Sequence, residues 1–172
     1  LCGTMSVGKT TLVNALKELE QFKGYKFATE RSQHLMSLGI PLNTDSTLKG
    51  QTVFLAERCG ELMHDSIITD RTILDVMAFT INAKSIPHQD KDAFEVYASE
   101  FIREYDYIFY ISPHGIEIED NGIRETDEHY RDLIDFTITT LIKRHGHKAG
   151  KIEKISGSTE ERIQQILNIT SL

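Results

Sequence analysis

The residues with the clearest chemical pattern stand at the start of the chain. Residues 3–10 read Gly-Thr-Met-Ser-Val-Gly-Lys-Thr and match the pattern G-x-x-x-x-G-K-[ST]. In this pattern the glycines let backbone N–H groups turn inward around a phosphate, and the lysine reaches the β- and γ-phosphates. The Ser or Thr hydroxyl binds Mg²⁺. The segment therefore predicts a site for a nucleoside triphosphate with Mg²⁺, in which Lys9 also neutralises the transferring phosphoryl group.

The context of the match supports this interpretation. An apolar stub precedes the loop and a helical pattern follows it, so the positive end of a helix would face the phosphates. The alternative, a glycine-rich turn with a solvent-facing lysine, explains this strand, loop and helix order less well. The residues predicted to contact the nucleotide through this loop are Gly3, Ser6, Val7, Gly8, Lys9, Thr10 and Thr11, with Thr10 as a metal ligand.

A carboxylate follows a second short apolar segment. Residues 66–71 read Ser-Ile-Ile-Thr-Asp-Arg, a β-branched run that ends in Asp-Arg. Phosphate-loop proteins place an aspartate against the magnesium at this point. Asp70 is therefore the second predicted metal residue and a candidate catalytic residue. Alternatively, Asp70 caps a helix that begins near Thr72.

Other charged residues could face the acceptor of a phosphoryl group. Glu30 follows an apolar strand and would lie at the carboxyl edge of a parallel sheet, where ligands of such sheets bind. Glu30 or Asp70 would orient the attacking hydroxyl. Arg31 and Arg71 could hold a phosphate or sugar oxygen, and Asp75 could contact a sugar hydroxyl. The structural alternatives are ion pairs among Glu30 and these arginines, and a solvated helix face for Asp75.

A polar and acidic segment at about 113–130 contains Gly115 and Gly122 and keeps no regular hydrophobic period. It predicts a flap over the site. Arg124 is expected to reach the transferring phosphoryl group when the flap closes, which also excludes water. The same arginine could instead balance the acidic residues around it.

These residues require a scaffold in which strands and helices alternate. That alternation predicts a three-layer α/β/α domain with a doubly wound, parallel, five-stranded sheet. Ser158-Thr-Glu-Glu161 fits a capping box at the start of the last helix. Strands are predicted at Leu1, 25–30, 66–70, 106–112 and 151–155, and helices at 9–19, 32–38, 46–64, 74–83, 90–105, 127–145 and 159–169.

Composition limits the class of protein. A chain of 172 residues with 40% hydrophobic residues predicts one domain, 1–172. The net charge of −7 disfavours binding to nucleic acid without forbidding it. Two distant cysteines favour a reducing, cytoplasmic setting, and no apolar run is long enough to predict a membrane span. Residues upstream of Leu1 are expected to complete the first strand, and nothing in the composition indicates an oligomeric state.

Two features that the sequence lacks exclude particular classes of phosphate-loop protein. The sequence has no Asn-Lys-x-Asp guanine signature, and it is too short for the added helical domain of the large ring ATPases. A compact, ATP-dependent kinase remains as the prediction.

Four segments carry a resemblance to a known family: residues 3–16, the pair Glu30-Arg31, residues 70–75 and residues 155–162. Together they resemble the small P-loop kinase-like family, of AAA-type ATP-binding domains, that contains the ribosylnicotinamide kinase domain of bacterial NAD-biosynthesis regulators. The resemblance implies ATP and Mg²⁺ as cofactors and a ribosylnicotinamide-like nucleoside as acceptor. It also implies that Gly157 and Ser158 lie beside the adenine ring.

The leading prediction is therefore a kinase that phosphorylates a hydroxyl of a nucleoside-like small molecule. One alternative keeps the chemistry and takes a nucleoside monophosphate, or a modified base or 5′ end of a nucleic acid, as acceptor. Another alternative is a regulatory module that binds the triphosphate, hydrolyses it slowly and changes its flap conformation for a partner.

Overall fold

The computed structural model describes residues 1–29, 32–116 and 127–172. Short strands alternate with helices in these ranges, as the sequence predicts. No helix in them has both the length and the hydrophobicity needed to cross a membrane. The helices are α1 (Lys9–Lys17), α2 (Ser32–Ser37), α3 (Leu48–Glu61), α4 (Ile73–Asn82), α5 (His88–Ser99), α6 (Glu128–His145) and α7 (Thr159–Thr170), and the strands are β1 (Lys26–Ala28), β2 (Ile67–Thr69), β3 (Tyr107–Ile111) and β4 (Lys151–Ile155).

The described strands form two parallel pairs. β1 pairs with β2 so that Ala28 lies opposite Thr69, and β3 pairs with β4. Leu1 and Cys2 lie between the pairs: the Leu1 backbone nitrogen donates to the Thr69 oxygen at 2.6 Å, and Cys2 forms a parallel bridge with Tyr110. The structure thus shows two short parallel ladders joined by a dipeptide, and one continuous five-stranded ladder stays a prediction.

The core is organised around β3, whose side chains alternate between two apolar clusters. Ile108 and Tyr110 belong to the cluster formed with α3, α4, α5 and α6. Phe109 and Ile111 belong to the cluster formed with α1 and α7. Because successive side chains of a strand point to opposite faces, helices cover both faces of β3. This arrangement is the layered α/β architecture that the sequence predicts.

One predicted helix ends earlier than expected. The helix expected over 90–105 ends at Ser99 and continues as a 3₁₀ helix, Glu100–Glu104, before the chain enters β3. Such tight turns commonly finish a helix, and they leave no signal in the hydrophobic period. The helix expected over 127–145 is α6, which begins at Glu128 and is capped by Asp127, whose carboxylate accepts from the His129 N–H at 2.9 Å. Residues 117–126, most of the flap predicted at about 113–130, lie outside the described residues, and the flap stays a prediction.

The predicted capping box is confirmed at the start of α7. The Ser158 Oγ accepts from the Glu161 N–H at 3.2 Å, and the Glu161 carboxylate accepts from the Ser158 N–H at 2.7 Å. Two amide groups that the helix itself leaves unpaired are therefore satisfied by side chains. This cap fixes the first turn of α7, which lies close to the phosphate loop.

Replacing Ser158 with alanine is expected to lower the free energy of unfolding by about 1 kcal/mol, because the cap loses its acceptor oxygen. Urea denaturation followed by circular dichroism measures the change. Ser37→Ala is the matched control, since this exposed serine donates to the carbonyl of His34 within α2. Its effect should stay within about 0.5 kcal/mol of wild type. Equal losses in the two variants would contradict the capping role.

Candidate active site

The phosphate loop connects Cys2 to the start of α1, and glycine is required at both of its ends. At Gly3 the backbone φ is 151°, and an added Cβ would lie 2.6 Å from the Ile111 oxygen at the end of β3. Gly8 is the N-cap of α1 with φ 79°. Both conformations suit a residue without a Cβ. Between them Ser6 has φ 59°, a left-handed conformation that is uncommon for a residue with a side chain.

Lys9 lies inside this loop. Its ammonium donates to the Gly3 oxygen at 2.5 Å and to the Thr4 oxygen at 2.7 Å, and the residue is only 8% exposed. Burial lowers the pKa of Lys9, and the nearby Asp75 and Asp70 carboxylates act in the opposite direction. The positive charge thus lies against the first two residues of the loop, and its contact with phosphate oxygens stays a prediction. Thr11, the last predicted loop contact, is exposed on α1.

Thr10 and Asp70 come together although 60 positions separate them in sequence. The Thr10 hydroxyl donates to Asp70 Oδ2 at 2.7 Å. Asp70 is fully buried, and its Oδ1 has no hydrogen-bond partner within the described part of the chain. A helix cap is not the role of Asp70, because the N-cap of α4 is Thr72. That alternative interpretation is wrong.

The Thr10 and Asp70 oxygens suit a magnesium ion. Magnesium prefers oxygen ligands and is commonly held by one or two carboxylates together with substrate phosphates. A buried carboxylate oxygen without a partner is the kind of group that an ion satisfies. No group of three or more His, Cys, Asp or Glu side chains in the described ranges is arranged to hold a metal. Thr10 and Asp70 are thus the described residues that would hold such an ion.

Asp75 is buried in the structure. It is fully inaccessible, its Oδ1 accepts from the Gly3 N–H at 3.0 Å, and its Oδ2 accepts from the Thr72 N–H and hydroxyl, each at 2.7 Å. The solvated helix face considered from the sequence is wrong. The carboxylate links the start of α4 to the first residue of the phosphate loop. Contact with an acceptor sugar stays a prediction, and it would compete with these three hydrogen bonds.

Arg71, which follows Asp70 in sequence, lines a small cleft that is partly open to solvent. The Arg71 guanidinium carbon lies 5.0 Å from the centre of the Phe79 ring, a cation–π arrangement. The remaining lining residues are Ser32, Leu42, Asn43, Ser46, Gln51, Phe54 and Val76.

The sequence indicated neither this cleft nor its lining by α3 and α4. Gln51 and Phe79 fall within helical patterns whose period describes an ordinary packed face. One sequence feature could have indicated the cleft: a polar residue, Gln51, falls on the apolar face of the helix. In the structure Gln51 is 3% exposed.

Arg58 and Arg103, which could each bind an acceptor phosphate, lie away from the cleft. Arg58 is 2% exposed and donates to Glu61 Oε1 at 2.6 Å within α3. Arg103 is exposed and pairs with Glu100. Neither lines the cleft. Among the described residues before the predicted flap, Arg71 is thus the one arginine at the cleft.

The turn before α7 contains Gly157 and Ser158, the residues placed beside adenine by the family resemblance. Ser158 is committed to the capping box. The Gln165 side chain donates to the Ser156 oxygen at 2.8 Å and accepts from the Ser156 N–H at 3.3 Å, so this turn is anchored to α7. Contact with an adenine ring stays a prediction.

The sequence gives no indication that Arg162 contacts the phosphate loop. It lies in the first turn of α7, and its Nη1 donates to the oxygen of Val7 in the phosphate loop at 2.8 Å. Val7 itself is buried. No sequence pattern links Val7 to Arg162, which lie at opposite ends of the chain. The capping box did predict where α7 begins.

Arg131 connects α6 to the same loop. Its Nη1 donates to the Ile116 oxygen at 2.7 Å, and its own oxygen accepts a long hydrogen bond from the Thr4 hydroxyl at 3.4 Å. Both ends of the predicted flap are therefore close to the phosphate loop. Glu30, Arg31 and Arg124, which the sequence assigns to catalysis or to the acceptor, lie outside the described residues.

Comparison with solved structures shows the fold. One similar structure is "Structure of deoxyadenosine kinase from M. mycoides with bound dCTP", with a TM-score of 0.66, 18% identity, and coverage of 99% of this chain and 97% of that chain. A second is the structure of that enzyme with the products dCMP and a flexible dCDP bound, with a TM-score of 0.64, 18% identity, and coverage of 98% and 95%. The chain thus has an α/β fold similar to that of a deoxyadenosine kinase.

Sequence comparison shows the family. The search of curated proteins finds no match. Residues 1–162 match the family described as AAA domain, which agrees with the AAA-type ATP-binding domain expected from the motifs. Since this match covers most of the chain, the protein belongs to the AAA-domain family.

Proposed function

We propose that this chain is an ATP- and Mg²⁺-dependent kinase that transfers the γ-phosphoryl group to a hydroxyl of a nucleoside-like molecule, with ribosylnicotinamide as one candidate. One observation carries the proposal. Asp70 contacts Thr10 of the phosphate loop at 2.7 Å, and its neighbour Arg71 lines a separate cleft. A phosphate site and a cleft for the acceptor would thus meet at one dipeptide. Phosphoryl transfer depends mainly on such positioning of two reactants.

The phosphate loop would bind the phosphates of the nucleotide. The first amide groups of α1 have no partner within the helix, and α1 has no acidic residue in its first turn. Lys9 would turn from the Gly3 and Thr4 carbonyls to phosphate oxygens, because charged oxygens are the stronger acceptors. Thr10 and Asp70 would hold the metal. When bound, ATP with Mg²⁺ supplies the phosphoryl group and part of the charge that neutralises it.

We infer that the strands act as one sheet of five and bring the site residues to its carboxyl edge. In support, Leu1 and Cys2 are hydrogen-bonded to β2 and β3, and Gly3 follows directly after them. The Asp70 N–H donates to the Ala28 oxygen at 3.1 Å. β1 therefore brings the chain to the same edge two residues before Glu30. Parallel α/β sheets bind their ligands at this edge.

The cleft beside Arg71 would take the acceptor. Phe54 and Phe79 offer apolar walls, while Gln51 and Ser46 offer an amide and a hydroxyl. The Ser46 Oγ is buried and has no hydrogen-bond partner among the described residues. Apolar walls with a few fixed polar groups suit a planar ring that has hydrogen-bonding atoms at its edge. A nucleobase or a nicotinamide-like ring has this chemistry.

The comparison with solved structures favours an acceptor without a phosphate. Arg71 is the one basic side chain among the described residues that line the cleft. The similarity to a deoxyadenosine kinase structure supports the same class of acceptor. We therefore place a nucleoside ahead of a monophosphate or a nucleic-acid end.

The remaining roles rest on the sequence. Glu30 would orient the acceptor hydroxyl, Arg31 would assist Arg71 in holding acceptor oxygens, and Arg124 would approach the transferring group from the flap. Gly157 and Ser158 would lie beside adenine.

The enzyme is expected to release ADP faster when an acceptor is present. The panel contains deoxyadenosine, deoxycytidine, ribosylnicotinamide, their monophosphates and an oligonucleotide with a 5′ hydroxyl. ADP release is followed with a coupled assay, and Lys9→Ala is the blank, expected to lose on the order of 100-fold or more in rate. If no acceptor raises ADP release above the basal hydrolysis rate, the regulatory-module alternative describes the protein better.

Asp70→Asn is expected to weaken binding of ATP in the presence of Mg²⁺ by about 10- to 100-fold, as loss of a metal-supporting carboxylate does. Binding of ATP in EDTA should change little, because the loop and Lys9 remain. Calorimetric titration with and without Mg²⁺ measures both affinities. Asp92→Asn, on the exposed surface of α5, is the control. An equal loss with and without Mg²⁺ would argue against the metal role.

Gln51→Leu is expected to raise the KM of the acceptor by about 2- to 10-fold, the size of one neutral hydrogen bond. The KM of ATP should be unchanged, because Gln51 lines the cleft and not the phosphate loop. Steady-state kinetics on the accepted substrate separate the two constants. Gln89→Leu, at an exposed position of α5, provides the same chemical change away from the cleft. An unchanged acceptor KM in Gln51→Leu would remove the cleft from the proposal.

A further inference from the structure

Arg162 is a buried cation that supports the phosphate loop from behind. Its residue exposure is 8%, and its Nη1 donates to the Val7 oxygen at 2.8 Å. The same nitrogen would lie 3.2 Å from a Cβ placed on Gly8. Its Nε is buried without a hydrogen-bond partner among the described residues. Burial lowers the pKa of the guanidinium from its ordinary value, yet arginine remains charged at neutral pH.

The contact is made to one defined peptide unit. The Val7 carbonyl accepts the hydrogen bond, and the N–H of that peptide belongs to Gly8, the N-cap of α1. In a planar trans peptide the carbonyl and the N–H point in opposite directions, so the Gly8 N–H points away from Arg162. It is one of the amide groups that α1 leaves without an intrahelical partner. Such groups are the ones that bind anions at helix N-termini.

The hydrogen bond would act on this amide in two ways. A charged donor on the carbonyl polarises the peptide, which makes the N–H on its other side a stronger donor. The bond also fixes the Val7–Gly8 peptide, one residue after Ser6, whose φ of 59° must be maintained by its surroundings. Both effects favour an anion on the side of the loop opposite Arg162.

We propose that Arg162 is a positioning residue for the phosphate loop: it fixes and polarises the Val7–Gly8 peptide so that the loop binds the phosphates of the donor nucleotide. This inference rests on the proposed function, because it assumes that the loop binds a nucleotide. It gives a role to α7, a helix that lies far from the phosphate loop in sequence.

The same helix turn also holds the segment placed beside adenine. Ser158 and Glu161 fix the first turn through the capping box. The Gln165 side chain is hydrogen-bonded to both the N–H and the carbonyl of Ser156. Arg162 lies between Glu161 and Gln165 on this helix. α7 thus contacts both the phosphate loop and the turn at residues 156–158 that precedes this helix. We therefore expect a change at Arg162 to weaken binding of the donor nucleotide and to leave binding of the acceptor unchanged.

The test compares Arg162→Met and Arg162→Gln with wild type. Calorimetry with ADP and with ATP in Mg²⁺ measures nucleotide binding, and steady-state kinetics measure the KM of ATP and of the acceptor. We expect about tenfold weaker binding of ADP and ATP in both variants, with the acceptor KM unchanged. Arg144→Met is the matched control, since Arg144 on α6 is 58% exposed and pairs with Glu95. It should bind ADP as wild type does.

A merely structural role would lower the fraction of active protein without changing the KM of ATP. Thermal denaturation and binding stoichiometry detect such a loss. The inference is overturned if a folded Arg162 variant binds ADP as tightly as wild type, if donor and acceptor constants change equally, or if neither variant folds. Absence of ATP binding by the wild-type chain would instead overturn the proposed function, and this inference with it.

Discussion

The site depends on one constraint: a short loop of backbone must keep amide groups available to an anion while the rest of the loop is held rigidly. The described structure meets it by anchoring the loop from three sides. Asp75 at the start of α4 accepts from the Gly3 N–H, the end of β3 leaves no room for a side chain at Gly3, and Arg162 donates to the Val7 oxygen. Two of these anchors engage the Gly3 N–H and the Val7 oxygen and leave the other amide groups of the loop to a bound phosphate. The loop can therefore be preorganised without losing its binding groups.

The six residues from the end of β2 into the first turn of α4, 70–75, contain three side chains with different contacts. Asp70 faces Thr10, Arg71 faces the cleft, and Asp75 turns back to the loop. Two carboxylates close to the buried Lys9 also offset the effect of burial on its pKa. Because these side chains share one rigid turn, a shift of α4 would move the metal side, the acceptor side and the loop together. In the proposed kinase, this coupling would position the two reactants relative to each other.

Short sequence patterns were enough to predict several elements of the fold and of the candidate site. The loop, Thr10, Asp70 and the capping box at Ser158 are patterns within a few residues, and parallel strands place their carboxyl ends at one edge. The family match over residues 1–162 agrees with that analysis. What could not be predicted depends on distant contacts. The Arg162–Val7 contact and the cleft between α3 and α4 arise only when helices pack.

Asp75 is an intermediate case. Thr72 and Asp75 have the spacing of a capping box, but the bond from Asp75 to Gly3 crosses from one element to another. Its burial was therefore not foreseeable from the spacing alone. The break of the predicted helix 90–105 at Ser99 likewise reflects the path into β3, since the local helical pattern continues beyond that residue.

The central claim is that the loop between Cys2 and α1 binds the β- and γ-phosphates of a nucleotide. Calorimetric titration of the wild-type chain with AMP, ADP and ATP in Mg²⁺ tests it most directly. The account predicts that affinity rises steeply from AMP to ADP, because the β-phosphate is the group that the loop amides surround. Binding of AMP as tight as that of ADP and ATP, or no binding of any of the three, would contradict it.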